Sequence, residues 1–171
     1  MRAVTEWDLT PKPVSASRVT LIELMELADA NVAGIVHGGT IMKLVDTAAG
    51  LAAIKHCGGL AVTVSIDEMS FLHPVHVGDL VTVRASVNDV GRTSLEVGVR
   101  VEAEEVTTGR RTHTSSAYLV FVALDEEGKP RPVPPLLTET PEDERRRREA
   151  RIRRETRLAH RRAIEEARGE D

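Results

Sequence analysis

Aromatic side chains are almost missing: Trp7, Phe71, Tyr118 and Phe121 are all that 171 residues contain. A core must therefore be assembled from Val, Leu, Ile, Ala and Met, and a nucleic-acid surface that stacks bases has no set of rings to use. Cysteine is scarcer still, with Cys57 alone. That excludes an internal disulfide, a CxxC redox pair and a thiolate zinc cluster, and it makes the cytoplasm the expected compartment. No apolar run approaches the ~20 residues of a membrane span, and the opening MRAVTEWDLT is too acidic and too poor in apolar residues for a signal peptide. His73, His76 and His113 lack the spacing of metal ligands, so no metal site is expected. The absence of a GxSxG motif removes a serine nucleophile of the hydrolase-elbow type.

Charge is plentiful but uneven. Residues 1–140 hold 12 basic and 18 acidic side chains, whereas residues 141–171 hold 11 and 9. The C-terminal stretch offers only Ile152, Leu158 and Ile164 as large apolar groups, too few for a core, yet it is rich in helix formers and in pairs such as Glu144/Arg148 and Glu149/Arg153. It reads as a charged helix, solvated or lying on the body, rather than a phosphate-binding arm, because acids interleave its bases. Before it, Pro130, Pro132, Pro134 and Pro135 mark a linker that continues neither strand nor helix. The expected organisation is an N-terminal extension (1–14), one domain (15–128), a Pro-rich linker (129–140) and a charged helical tail (141–171).

Within the domain the hydrophobic period changes sharply. From Gly39 to Cys57 apolar residues occupy nearly all sides of a helical wheel, which predicts a helix buried on most faces and stopped by Gly58-Gly59. The period then becomes two. Val62, Val64 and Ile66 are expected on one face, and a slip of phase to Met69 and Phe71 predicts a bulge near Asp67-Glu68. Val81 to Val87 and Leu95 to Val101 supply two further strands, and the all-apolar run Ala117 to Leu124 a central one. Turns are expected at Pro74, Gly78-Asp79, Asn88 to Gly91 and Thr107 to Gly109. Val19 to Ala28 is ambiguous between helix and strand by propensity. One long helix followed by strands joined by short turns is an α+β pattern in which an antiparallel sheet wraps the helix.

The chemical anomaly is Asp46, a carboxylate on a helix expected to be apolar almost all round. It requires a partner or a cleft: either a hydrogen-bonded structural carboxylate or a catalytic one. Upstream, the loop Asn31 to Thr40 feeds the helix through Gly38-Gly39. The first helical N–H groups are unpaired and dipole-polarised, suited to an oxygen that becomes negative, though a tight turn explains two glycines equally well. His37 in that loop is a candidate base or an ordinary loop histidine. Gly91-Arg92-Thr93-Ser94 offers a cation and two hydroxyls at a strand start, a phosphate contact or a plain hairpin turn.

Taken together, the stretch from Asp29 through Asn31, His37, Gly38, Gly39 and Lys43, then Asp46, then Phe71-Leu72-His73-Pro74-Val75-His76-Val77-Gly78-Asp79, resembles the hotdog-fold acyl-CoA thioester hydrolase family, in its cytosolic acyl-CoA hydrolase branch. The resemblance spans about residues 15–140 and implies that Val19 to Ala28 contains the first strand of the sheet. It also implies hydrolysis of medium- to long-chain acyl-CoA to acid and CoA, without metal or covalent cofactor. By the same resemblance Asn31 and Asp46 are catalytic, Gly38 and Gly39 turn backbone N–H groups to the thioester oxygen with His37 beside the substrate, and Arg92, Thr93 and Ser94 contact CoA. A single hotdog unit where larger relatives fuse two implies a homodimer, with a trimer of dimers as the larger assembly. A thioester carbonyl is already electrophilic and thiolate leaves readily, so one carboxylate, a water and an oxyanion donor suffice. The competing expectations are a hydratase or dehydratase on the same fold with His37 as base, and a non-catalytic acyl-CoA-binding module.

Overall fold

A computed structural model describes Trp7 to Gly169; residues 1–6 of the expected N-terminal extension and 170–171 of the tail lie outside the described residues. In chain order the elements are β1 (Lys12–Pro13), α1 (Val14–Ser17), β2 (Val19–Leu24), a 3-10 turn (Leu27–Asp29), α2 (Gly38–Cys57), β3 (Ala61–Phe71), β4 (Asp79–Val90), β5 (Ser94–Glu105), β6 (Arg110–Ala123), β7 (Leu136–Leu137) and α3 (Pro141–Arg168). β2 to β6 form one antiparallel sheet in the order β2-β4-β5-β6-β3, and β1 and β7 make a short parallel pair. This is the hotdog fold, an α+β arrangement with the sheet curved around α2. The ambiguous segment begins as β2, the edge strand beside β4.

Small side chains bring α2 close to the sheet. Ala48, Ala49, Ala52 and Ala53 are fully buried, flanked by Ile41 and Val45, and they face the inward row Val81, Val83, Ala85 and Val87 of β4 and Val97, Val99 and Val101 of β5. The helix ends where Gly58 adopts φ 68° and returns its N–H to the Ile54 carbonyl at 2.9 Å, a left-handed cap that a side chain would strain. The expectation that α2 is buried on most faces is corrected. Met42, Asp46, Leu51 and Ile54 are exposed, so within one chain only half of the apolar wheel meets the sheet.

β3 departs from simple alternation twice. Register shifts lie between Thr63 and Ser65 and between Ile66 and Glu68, the second at the expected bulge. As a result Val62, opposite Val122, lies on the outer face, while Ile66, opposite Leu119, lies on the inner one. The shared face expected for Val62, Val64 and Ile66 does not exist. The turn expected from Asn88 to Gly91 is also shorter, because β4 continues to Val90 past an irregularity at Asn88.

The segment expected as a linker is a packed strap. Its backbone bonds from Arg131 N to Ala123 O (2.9 Å) and from Val133 N to Arg92 O (3.1 Å), and Val133 and Leu136 are buried. Arg131 is 2% exposed; its guanidinium donates to the carbonyls of Cys57 (2.9 Å), Leu124 (3.2 Å) and Pro132 (3.3 Å) and lies 4.1 Å from the Trp7 ring centre. α3 starts on a capping box in which Thr140 and Asp143 exchange hydrogen bonds, with Pro141 in the first turn. Of the two expected placements, solvated or lying on the body, it takes the second. It crosses the outer face of the sheet, where Arg147 meets Asp89 of β4 at 3.2 Å, Arg153 meets Glu96 of β5 at 2.6 Å, and Arg157 pairs with Asp67 of β3. Among the described residues no helix is long and apolar enough to cross a membrane.

Candidate active site

The loop from Asp29 to His37 is arranged around the start of α2. Asn31 closes its own loop: Oδ1 accepts from Ala33 N at 2.8 Å, the backbone N–H donates to Ile35 O at 2.8 Å, and the carbonyl accepts from Gly34 N at 3.0 Å. With its acceptor oxygen and main chain so occupied, the side-chain NH₂ is the part of Asn31 left for a ligand. The bridge between Ala30 and Val36 and the bond from His37 N to Asp29 O at 2.7 Å then carry the chain into the helix.

His37 is the helix N-cap. Its Nδ1 accepts from Gly39 N at 2.9 Å, so in this state the ring is a structural acceptor and the Gly39 N–H is not open to a substrate oxygen. The Gly38 N–H meets no acceptor among the described residues. It is the first donor of a twenty-residue helix and sits at the positive end of the dipole. The Phe71 ring at the end of β3 lies 3.5 Å from where a Cβ on Gly38 would stand, ordinary contact distance, so the ring flanks the helix start.

Two turns further along, Asp46 projects from the exposed face of α2. Its Oδ1 accepts a 2.7 Å hydrogen bond from Thr63 Oγ1 of β3. Thr63 was not among the residues singled out from sequence. It stands opposite Phe121, on the inner face of an edge strand, where a hydroxyl among Val62, Val64 and Ile66 is the only signal that pointed to it. The carboxylate is exposed rather than buried, so the desolvation that made it anomalous in the sequence is absent from the single chain.

Gly38, Gly39, Asn31 and His37 thus converge at one end of α2. Asp46 does not join them. Seven residues of helix separate it from Gly39, about 10 Å of rise. The turn Gly91 to Ser94 lies further off still: Ala123 N donates to Thr93 O at 3.0 Å, and Ala123 pairs with Ala61 just beyond the C-terminal end of α2. Within one chain the helix start and this turn are at opposite ends of the sheet. Among the described residues no cluster of His, Cys, Asp and Glu has the arrangement of a metal site.

The thioesterase superfamily model matches residues 33–110. The cytosolic acyl coenzyme A thioester hydrolase of Mus musculus is 39% identical over 143 residues, covering 81% of this chain and 37% of its own length. The chain therefore spans little more than a third of that relative. Among solved structures, an apo-hexameric acyl-CoA thioesterase superposes with a TM-score of 0.86 at 38% identity, covering 88% of this chain and 97% of the other. The acyl-CoA hydrolase of Staphylococcus aureus, solved with butyryl coenzyme A, coenzyme A and coenzyme A disulfide, gives 0.84 at 33% identity over 91% and 95%. Further structures of that hydrolase carry single replacements of an aspartate, an asparagine or a threonine by alanine. With its sheet, its central helix and its glycine-led helix start all in place, the chain belongs to the hotdog-fold acyl-CoA thioester hydrolase family.

Proposed function

We propose that the protein hydrolyses acyl-CoA thioesters of medium to long acyl chain to the free acid and CoA in the cytoplasm. The observation that carries this reading is the Asp46 carboxylate, held by Thr63 on the open face of the helix whose first N–H, that of Gly38, meets no acceptor among the described residues. Asn31, Asp46 and Thr63 stand fifteen and seventeen residues apart. These are the spacings of the asparagine, aspartate and threonine replaced in the S. aureus hydrolase, which supports a joint role for the three. The compartment draws support from the name of the murine relative.

In this reading Asp46 takes a proton from water as the water oxygen attacks the thioester carbon. The carbonyl oxygen becomes an oxyanion facing the Gly38 N–H, with Gly39 joining when His37 turns away, and the Asn31 amide orients the carbonyl or the water. Collapse breaks the C–S bond, and the departing thiolate recovers the proton from Asp46. His37 as general base of a hydratase fits less well, because its Nδ1 is engaged by Gly39.

Because Asp46 and the helix start are too far apart in one chain, the site is completed by a second copy. A two-fold pairing along the β3 edge sets the helices antiparallel and brings Asp46 of one chain to the Asn31–Gly39 loop of the other. The same pairing carries one chain's Arg92, Thr93 and Ser94 toward the other's helix start, where they would hold CoA. Val64, Ile66, Leu51 and Ile54, 54%, 43%, 41% and 39% exposed, supply the apolar surface for it, and a hexamer of three such dimers is the proposed larger assembly.

A panel of acyl-CoA esters assayed with a thiol reagent tests the reaction. CoA thiol should appear in step with free acid; hydration of an enoyl-CoA without thiol, or ligand binding without turnover, overturns it. Co-refolding Asn31→Ala with Asp46→Ala chains tests the sharing. Half of the dimers are then mixed and each has one intact site, so about a quarter of wild-type turnover should return. Mixed dimers that stay inactive place both residues in one chain's site.

A further inference from the structure

The eleven arginines of α3 divide by partner. Arg145, Arg146, Arg147, Arg151, Arg153, Arg157 and Arg161 each meet a carboxylate. Arg148, Arg154, Arg162 and Arg168 meet none among the described residues, and of these Arg154 lies on the same side of the helix as the buried Ala150 and as Arg157. Its guanidinium instead rests on the turn at the start of β5: Nη1 and Nη2 are 3.0 and 3.2 Å from the point where a Cβ on Gly91 would stand, and Ser94 Oγ is 2.9 Å from that same point. A side chain at position 91 would have to displace one of these groups.

The placement of this cation is built rather than incidental. Arg147 on Asp89, Arg153 on Glu96 and Arg157 on Asp67 pin the helix on both sides of Arg154. The turn is pinned as well, through Gly91 N to Ser94 O (2.8 Å), Ala123 N to Thr93 O (3.0 Å) and Val133 N to Arg92 O (3.1 Å). These contacts also consume the local carboxylates: Asp89 is shared by Arg147 and Arg151, and Glu96 is held by Arg153. Arg154 and the exposed Arg92 are left as uncompensated guanidinium groups on one turn, beside the hydroxyl of Ser94. A guanidinium with a hydroxyl and no carboxylate is a recognition set for a phosphate ester.

We infer that Arg154 is a second phosphate-binding arginine, acting with Arg92 on the nucleotide end of CoA, so that α3 forms one wall of the substrate site. This rests on the thioesterase reading above. The recognised chemistry is a phosphate, which CoA carries both as a 3′-phosphate on the ribose and as a diphosphate.

The test compares wild type with Arg154→Gln, Arg154→Lys and, as a control from the exposed side of α3, Arg148→Gln, using calorimetry with CoA and kinetics with acyl-CoA and acyl-pantetheine thioesters. Arg154→Gln should weaken CoA binding about tenfold and raise the ratio of KM for acyl-CoA to KM for acyl-pantetheine by the same factor, with kcat little changed and part of the loss restored in Arg154→Lys. Arg148→Gln should match wild type. If 3′-dephospho-CoA abolishes the difference between wild type and Arg154→Gln, the 3′-phosphate is the ligand; if the difference persists, the diphosphate is. Wild type that binds CoA no better than Arg154→Gln, or a variant that loses both substrates equally, overturns the assignment. Wild type that neither binds nor hydrolyses any CoA ester overturns the functional reading itself.

Discussion

α2 meets the inner face of the sheet with Ile41, Val45 and four alanines; α3 meets the outer face with one buried alanine and a row of arginines set on Asp67, Asp89 and Glu96. Both helices are held firmly, by different means. On the inner side stabilisation comes from apolar area and close approach, which tolerates no buried charge. That leaves the polar groups of α2, Asp46 above all, on the open side, where the proposed chemistry lies. On the outer side three carboxylates have been drawn out of water on three strands, and each requires a specific arginine to remain there. Substitutions on α2's open face should therefore change rate and leave stability, and substitutions under α3 should change stability and leave rate.

The largest expected effect is on the inner side. Asp46→Asn keeps the shape and the acceptor for Thr63 but removes the proposed base. Turnover should fall by about two to four orders of magnitude while CoA ester binding persists and thermal stability is unchanged. Thr63→Ala leaves the carboxylate free to rotate, and about a tenfold loss in kcat is expected. A Thr63→Ala loss as deep as that of Asp46→Asn would make the hydroxyl a participant rather than a positioning group.

Next comes the outer side. Arg153→Ala leaves Glu96, 7% exposed, with Asn88 Nδ2 at 3.2 Å as its remaining donor, and it also removes the guanidinium stacked 3.6 Å over Tyr118. About 3 kcal/mol of stability should be lost in urea denaturation, with kcat unchanged. Adding Glu96→Gln to Arg153→Met should recover most of it, because the amide oxygen still accepts from Asn88 without a charge to compensate. A double variant as unstable as Arg153→Ala would show that packing, not the unpaired charge, dominates.

These contrasts mark what the sequence could convey. The strands of β4 to β6 and the length of α2 follow from period and from Gly58, and the Asp67 bulge from a slip of phase. The exposed half of α2 is illegible because composition does not say which apolar residues meet the sheet and which stay open. Composition leaves α3 open between a solvated helix and one lying on the body. Its arginines do recur at helical spacing, but their partners sit on three strands whose faces depend on two bulges and the irregularity at Asn88. Asp46 stands out as a carboxylate on an apolar helix and the glycine pair as a helix start, while Asn31 is singled out through motif resemblance; Thr63 requires the register of β3 against α2.

A smaller effect separates the two sides by pH. His56 is fully buried at the end of α2, with Nε2 2.9 Å from Pro134 O and no partner for Nδ1, and burial holds its pKa below the ordinary 6.5. Between that lowered value and 6.5 the unfolded chain binds the extra proton. The contribution of His56 is therefore complete above about pH 6.5 and is lost as pH falls toward the folded value. His56→Gln, which keeps a donor for Pro134, should flatten this acid-side slope in urea midpoints taken from pH 8 to pH 5. An unchanged slope would trace the loss to other groups.

The smallest effect is expected where α3 turns away from the sheet. Arg145 bridges Glu142 and Glu149, each at 2.5 Å, on the exposed side of the helix. The hydrogen bond from Arg145, ahead of the attraction of Arg145 and Arg146, lowers the Glu142 pKa from 4.5 to about 2. By sign, stabilisation from Glu142 is complete above pH 4.5 and disappears as pH falls through about 2. Its size is another matter, because all three side chains are open to water and salt and the geometry must be held by flexible stems. Arg145→Ala should leave the urea midpoint at pH 7 barely changed. What difference exists should vanish at 1 M salt, where the screening length falls to about 3 Å. The same salt should leave the Arg153→Ala defect largely intact, since Glu96 lies beneath the helix. If Arg145→Ala instead matches Arg153→Ala in size and in salt resistance, the exposed network carries as much of the docking of α3 as the buried pairs do, and the contrast between the two sides of that helix is wrong.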